Sequence, residues 1–167
     1  SQLAKAIRID RNRMNRYCRT VDPKFLEGVN RKKPRTMEEL EDLWYQTQNA
    51  DGNRYTHYNS SRYRVCNLHS FFHGHHTIEF RLFEFDCPHD GKQNGMHAGQ
   101  VKSFIQLCLA INQLAKMVRT ASPKPQQTEN EKYAMRCWML RLGFIGDEFK
   151  TAREYYLNNM EGNSAWR

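Results

Sequence analysis

An α+β fold, in which a small antiparallel sheet is packed by several helices, is what this sequence predicts, and three patterns carry the prediction. Residues 76–85, HTIEFRLFEF, alternate, so that Ile78, Phe80 and Leu82 fall on one face of a pleated strand and Thr77, Glu79 and Arg81 on the other. A second strand signal runs from Tyr63 to Phe72, and His73-Gly74-His75 between them is short enough to close an antiparallel hairpin. From about Ala98 to Arg119, Val101, Phe104, Ile105, Cys108, Leu109, Ile111, Leu114, Ala115 and Val118 form the broad apolar face of one long helix. That helix is expected to pack on the Ile78/Phe80/Leu82 face.

The remaining elements follow from local signals. Leu3, Ile7, Met14 and Tyr17-Cys18 recur at roughly helical spacing, so the N-terminal segment is expected to be a helix, interrupted by Asp22-Pro23 and by Gly28–Pro34. Thr36 with Glu39 three residues on forms a capping box that opens a short helix through Leu40, Leu43 and Trp44. Residues 49–61 and 86–97 are rich in loop formers, the second reading as an exposed excursion. Ser122-Pro123-Lys124-Pro125 breaks the long helix, Thr128 with Glu131 is expected to cap the next, Gly143 to end it, and Asp147 to begin a last helix before Gly162.

A chain of 167 residues with 39% hydrophobic content can bury one genuine core. It has no apolar run long enough for a membrane span and no secretory h-region, so a cytoplasmic protein with no membrane partner is expected. Five scattered cysteines without a CxxC pair read as reduced thiols. Charge is uneven: residues 1–35 hold eleven Lys/Arg against three acids, whereas the rest holds fifteen of each, so the whole net charge of +8 lies in the first 35 residues. The expected organisation is a basic helical arm, residues 1–35, ahead of a single α+β domain, residues 36–167. Arg8, Arg11, Arg13, Arg16, Arg19, Arg31, Lys32 and Lys33 are candidate contacts to phosphates or to an acidic protein groove, or else simply a solvated helix face.

Glu79-Phe80-Arg81 is the sharpest chemical feature, because both charged side chains leave one strand face about 7 Å apart. A carboxylate there can hold a divalent metal, and a guanidinium can take a phosphate or carboxylate in bidentate fashion, although a surface salt bridge uses the same residues. His69, His73, His75, His76, His89 and His97 with Cys87 invite a zinc site, but their spacing matches no closed set and the loop histidines read as solvent-facing. Tyr55, Tyr58, Tyr63, Phe71 and Phe72, near Arg54, Arg62 and Arg64, can stack nucleobases, yet serve equally as core and rim of a sheet, the reading preferred for them.

The segments SSRYRVCNLHSFF (60–72), HTIEFRLFEF (76–85), MHAGQVKSFIQLCLA (96–110), the stretch 129–167 and, upstream, 15–45 resemble the amidoligase family of phages and conjugative elements. The resemblance is to the C-terminal half of these carboxylate–amine ligases of the glutamine-synthetase-like superfamily. It implies half of a glutamine-synthetase-like fold, with Glu79 as a metal ligand, Arg81 and Arg62 facing phosphate or substrate carboxylate, and Asn67 and His69 lining the ligand-facing sheet. The family's G-x-E-x-E strand and H-x-H segment have no counterpart in these residues, and roughly Glu84–Met96 is inserted where the family makes a short turn.

Two functions follow as expectations. The first is a non-catalytic, amidoligase-derived binding protein of a mobile element, directed at host nucleic-acid machinery such as an RNA-guided defence nuclease (anti-CRISPR-like), with a nucleic acid or nucleoprotein partner and no cofactor. The second is a fragment or subunit of a ligase using ATP and Mg, with Glu79, Arg81, Arg62, Asn67 and His69 catalytic. Such a site needs several oxygen ligands, so catalysis by this chain alone is not expected.

Overall fold

The computed structural model describes residues 2–48, 53–85, 97–122, 124 and 127–165. In chain order the described elements are α1 (Gln2–Ala6), α2 (Arg11–Tyr17), α3 (Pro23–Lys32), α4 (Met37–Thr47), β1 (Cys66–Asn67), α5 (His69–His73), β2 (Glu79–Phe80), α6 (Ala98–Met117), α7 (Glu131–Arg141) and α8 (Lys150–Asn158). The fold is α+β. Of the segment expected to be an exposed excursion, residues 86–96, with Cys87 and His89, lie outside the described residues, as do residues 49–52 of the earlier loop.

The chain divides into two compact units, one of Arg11–Leu82 with Ala121–Lys124, the other of Ser1–Asp10, Phe83–Thr120 and Pro125–Arg167. Both strands belong to the first. The cations of the first 35 residues are shared out, with Lys5 and Arg8 in one unit and those from Arg11 onward in the other.

In the strand-bearing unit, α3 and α4 enclose a core of Phe25, Leu43 and Trp44, the Phe25 and Trp44 rings meeting edge to face at 5.2 Å and 89°. Asp22-Pro23, expected to interrupt the N-terminal helix, stands after the end of α2 and itself opens α3, which runs through Gly28 where a second interruption was expected. The Asp22 carboxylate accepts the N–H of Lys24 at 2.9 Å, and proline at the first helical position gives up only a donor that would have had no partner. Gly28 sits inside this helix because α4 comes so close: a Cβ there would stand 2.7 Å from Leu43 Cδ1. The Thr36 hydroxyl caps α4 by accepting from Glu39 N at 3.2 Å, while Glu39 Oε2 reaches back to Arg35 N at 2.7 Å, one residue beyond the reciprocal contact of a capping box. Arg64 is buried, and its guanidinium donates to the carbonyls of Thr20 at 3.0 Å and Gln48 at 2.6 Å; burial, with Arg19 nearby, lowers its pKa.

The two strands are antiparallel, Cys66 opposite Phe80 and Asn67 opposite Glu79, but each is two residues long. The second half of the expected strand 63–72 is helical. Asn67 Oδ1 accepts from His69 N at 2.9 Å and Ser70 N at 3.4 Å, which satisfies donors at the start of α5 and turns the chain out of the strand. His73 therefore ends a helix, and no tight hairpin joins the strands. Leu82 is buried, but Ile78 is 45% exposed, so the apolar face expected there does not form as one surface.

In the other unit α6 packs against α8, with Phe104, Leu107, Met135, Met139, Phe144 and Tyr156 buried and the Tyr156 hydroxyl donating to Ser103 O at 2.8 Å. Phe83 stacks on Phe104 at 4.4 Å, so within its unit α6 is covered by α8 and by this segment. The single helix expected from Leu3 to Cys18 is two: α1 ends at Ala6, Arg8 follows with a left-handed φ of 53°, and α2 begins at Arg11. Asn130, not Thr128, caps α7 by accepting from Tyr133 N at 3.0 Å. Gly143, at φ 83°, follows the end of α7, and a 3-10 turn at Asp147–Phe149 precedes α8. Cys18, Cys66, Cys108 and Cys137 are free thiols, and no described helix is long and apolar enough to cross a membrane.

The Thr36 cap is expected to be worth about 1 kcal/mol. In urea denaturation, Thr36→Ala should lower the unfolding free energy by that amount, read as a lower midpoint with the slope unchanged, whereas an unchanged midpoint would show that α4 starts without it.

Candidate functional site

The site begins with a cross-strand pair. Because Asn67 and Glu79 lie directly opposite each other, their side chains share one face, and Arg81, two residues beyond Glu79, is expected on the same face. Asn67 Nδ2 donates to Glu79 Oε2 at 2.7 Å, and Arg81 Nε pairs with Glu79 Oε1 at 3.0 Å. Both carboxylate oxygens are thus engaged by groups of the same unit. Asn67 is 1% exposed, whereas the Glu79 side chain is 40% exposed, so the pair is rooted in the core and opens outward.

Arg81 and Arg62 are held by carbonyls and rings. Arg81 Nη1 donates to Arg62 O at 3.1 Å, and its guanidinium carbon lies 5.3 Å from the centre of the Tyr63 ring. Arg62 Nη1 donates to His57 O at 3.0 Å, its guanidinium lying 5.2 Å from Tyr58 and 5.9 Å from Tyr63. Tyr17 of α2 meets Tyr63 edge-on at 6.1 Å. The backbone joins these pieces, since Arg19 N donates to Tyr63 O at 3.0 Å and Val65 N to Arg19 O at 2.8 Å. Tyr55 and Tyr58 are 71% and 74% exposed, which overturns the reading of them as sheet core.

His69 takes a different place from the one the resemblance implies. Its backbone joins the site through Asn67, but its ring is buried and Nδ1 lies 2.6 Å from the Tyr45 hydroxyl. Burial lowers the His69 pKa, with His73 adding to the effect, and burial pushes Tyr45 up to about 12, with Glu41 nearby. His73 is half-buried on α5 and bonds Glu41 Oε1 at 2.8 Å, and Glu41 also pairs with Arg54 at 3.4 Å. His73 is therefore not a solvent-facing loop residue, while His75 and His76 are exposed. Tyr45 and Glu41 escaped the sequence reading because the helical spacing of α4 makes them look like ordinary helix-face residues.

The candidate contact cations are distributed along several elements. Arg11, Arg13 and Arg16 lie on α2, Arg19 at the bridge to Arg64, Arg31 and Lys32 at the end of α3, and Lys33 at its left-handed C-cap, φ 49°. Arg8 belongs to the other unit. All are exposed except Arg13, which is half-buried.

A magnesium ion needs several oxygen ligands in near-octahedral order. In this cluster the one carboxylate already holds an amide and a guanidinium, and the guanidiniums of Arg62 and Arg81 stand close by. Among the described residues no group of three or more His, Cys, Asp or Glu side chains could hold a metal. The residues present do not by themselves fit Mg, whereas Arg62 and Arg81 suit an anionic group.

Residues 1–112 match the model of the family described as "Putative amidoligase enzyme". No curated protein and no solved structure matches the chain.

The lowered pKa of His69 makes stability depend on pH with a definite sign. Above the unfolded histidine value of about 6.5 the neutral ring has no cost; below it the unfolded chain takes up a proton that the folded chain refuses until its own lower pKa, so stability falls on acidification. The urea midpoint should fall more steeply from pH 7 to pH 5 for the wild type than for His69→Asn. Equal slopes would contradict the placement of this ring.

Proposed function

We propose that this chain, which belongs to the amidoligase family, works by binding a macromolecular anion rather than by joining a carboxylate to an amine, and that its partner is a nucleic acid or nucleoprotein. The observation that carries this reading is the state of Glu79. Its two oxygens take Asn67 Nδ2 at 2.7 Å and Arg81 Nε at 3.0 Å, so the carboxylate that a ligase would use for metal is neutralised within its own strand pair.

The charge distribution supports the choice of partner. Arg11, Arg16, Arg19, Arg31, Lys32 and Lys33 are exposed cations of the same unit, and exposed charge of this density is better suited to phosphates than to stability, to which surface ion pairs add little. On a mobile element the role that suits such a protein is inhibition of host nucleic-acid machinery. An RNA-guided defence nuclease is the concrete target we assign, since its guide and target strands supply the phosphates. No cofactor is required for this.

The family match favours a second reading, a subunit of an ATP- and Mg-dependent carboxylate–amine ligase in which Arg62 and Arg81 hold phosphate or substrate carboxylate. It requires metal carboxylates from beyond the described cluster.

Each neutralised phosphate releases condensed counterion, so affinity should fall steeply with salt, by a log–log slope of about 0.7 to 0.9 per phosphate. Arg11→Glu with Arg16→Glu should weaken binding to a nucleic acid and flatten that slope by about one for each phosphate left without its cation. The melting temperature should stay unchanged, because both side chains are exposed. Salt-independent binding, or binding indifferent to the double reversal, would refute these cations as the contact surface.

A further inference from the structure

Resting on the reading of a nucleic-acid partner, we infer that the surface formed by Tyr58, Arg62, Tyr63, Arg81 and Tyr17 is a stacking platform for the bases of a single strand. The platform alternates rings with guanidiniums: Arg62 lies 5.2 Å from the Tyr58 ring and 5.9 Å from Tyr63, Arg81 lies 5.3 Å from Tyr63, and Tyr17 closes on Tyr63 at 6.1 Å. Each guanidinium covers part of its ring, and because Tyr58 is still 74% and Tyr17 47% exposed, both rings keep surface on which a flat nucleobase can stack.

Exposure and rigidity separate this surface from a core fragment. Tyr58 is 74% exposed and Tyr17 47%, although a tyrosine ring ordinarily gains by burial. The guanidiniums between the rings are tethered, Arg62 to His57 O at 3.0 Å and Arg81 to Arg62 O at 3.1 Å, so little side-chain freedom remains to be lost on binding. The backbone of Arg19 is bonded to Tyr63 and Val65, which sets an exposed cation beside the platform, and Arg16 precedes Tyr17 on α2. Glu79 compensates Arg81, leaving Arg62, Arg16 and Arg19 to give the patch its sign.

These features select a single strand over a duplex. The bases of a duplex are stacked on one another and offer no free face, so a duplex could use the cations but not the rings. A strand with unpaired bases uses both, phosphates on Arg16 and Arg19 and bases on Tyr58 and Tyr17. Because every base has a π-face, preference among sequences should be small.

The test uses the full chain and three fluorescein-labelled probes of equal length at one salt concentration: a mixed-sequence single-stranded RNA, its duplex, and an abasic single strand. The single strand should bind at least about tenfold more tightly than either other probe, since stacking is worth about 5- to 150-fold per base. Tyr58→Ala should erase about that factor for the RNA and leave the abasic strand unaffected, while Tyr58→Phe, which keeps the ring, should retain it. Equal affinity for all three probes, or an unaffected Tyr58→Ala, would overturn the platform while leaving the basic contact surface standing if Arg11→Glu with Arg16→Glu still weakens binding. Failure to bind any probe at low salt, or capture of an acidic polypeptide in their place, would overturn both.

Discussion

The buried carboxamide of Asn67 is the constraint on which the strand-bearing unit turns. One nitrogen and one oxygen perform three tasks: the nitrogen holds Glu79, and the oxygen receives the N–H groups of His69 and Ser70. Register and helix start are therefore set by the same side chain. A slip of one residue between the strands would send Asn67 and Glu79 to opposite faces, leaving a buried amide without its charged acceptor. A hydrogen bond to a charged group is worth about 1.5–3 kcal/mol, a large stake for a ladder only two residues long on each side.

From that pair the chemistry of the site follows by geometry. Arg81 completes the second oxygen of Glu79, then reaches Arg62 O, and Arg62 reaches His57 O, so each cation is anchored to backbone and backed by a tyrosine. The arrangement commits its one carboxylate to groups of its own unit, while the rings of Tyr58 and Tyr17 face outward. His69 stands behind it, its backbone fixed by Asn67 and its ring bonded to Tyr45 in the packed region near Phe72.

Much of this was legible in the sequence, and what was not has identifiable causes. The alternation of residues 76–85 placed Glu79 and Arg81 on one face, and Thr36 with Glu39 marked the start of α4, because both signals are local. The length of the strands was not legible. Phe71 and Phe72 look like strand residues by propensity, but the Asn67 side chain bonds forward to the backbone and overrides it. The helix α3 was obscured because Asp22-Pro23 reads as a breaker when its other use is as cap and first helical residue. The exposure of Tyr58 and the Tyr45–His69 bond depend on contacts between segments far apart in sequence, which no spacing rule encodes.

The central claim is that Glu79 is committed to Asn67 and Arg81 and is not a metal ligand of this chain. The most direct measurement is the side-chain Nε–H resonance of Arg81 in the ¹⁵N NMR spectrum, assigned through Arg81→Lys and followed as MgCl₂ is added. The account predicts a resonance that moves on Glu79→Gln, because its acceptor loses the charge, and that stays in place through the magnesium titration. A saturable magnesium-dependent shift of that resonance, lost in Glu79→Gln, would show the carboxylate leaving its guanidinium for the metal, and would contradict it.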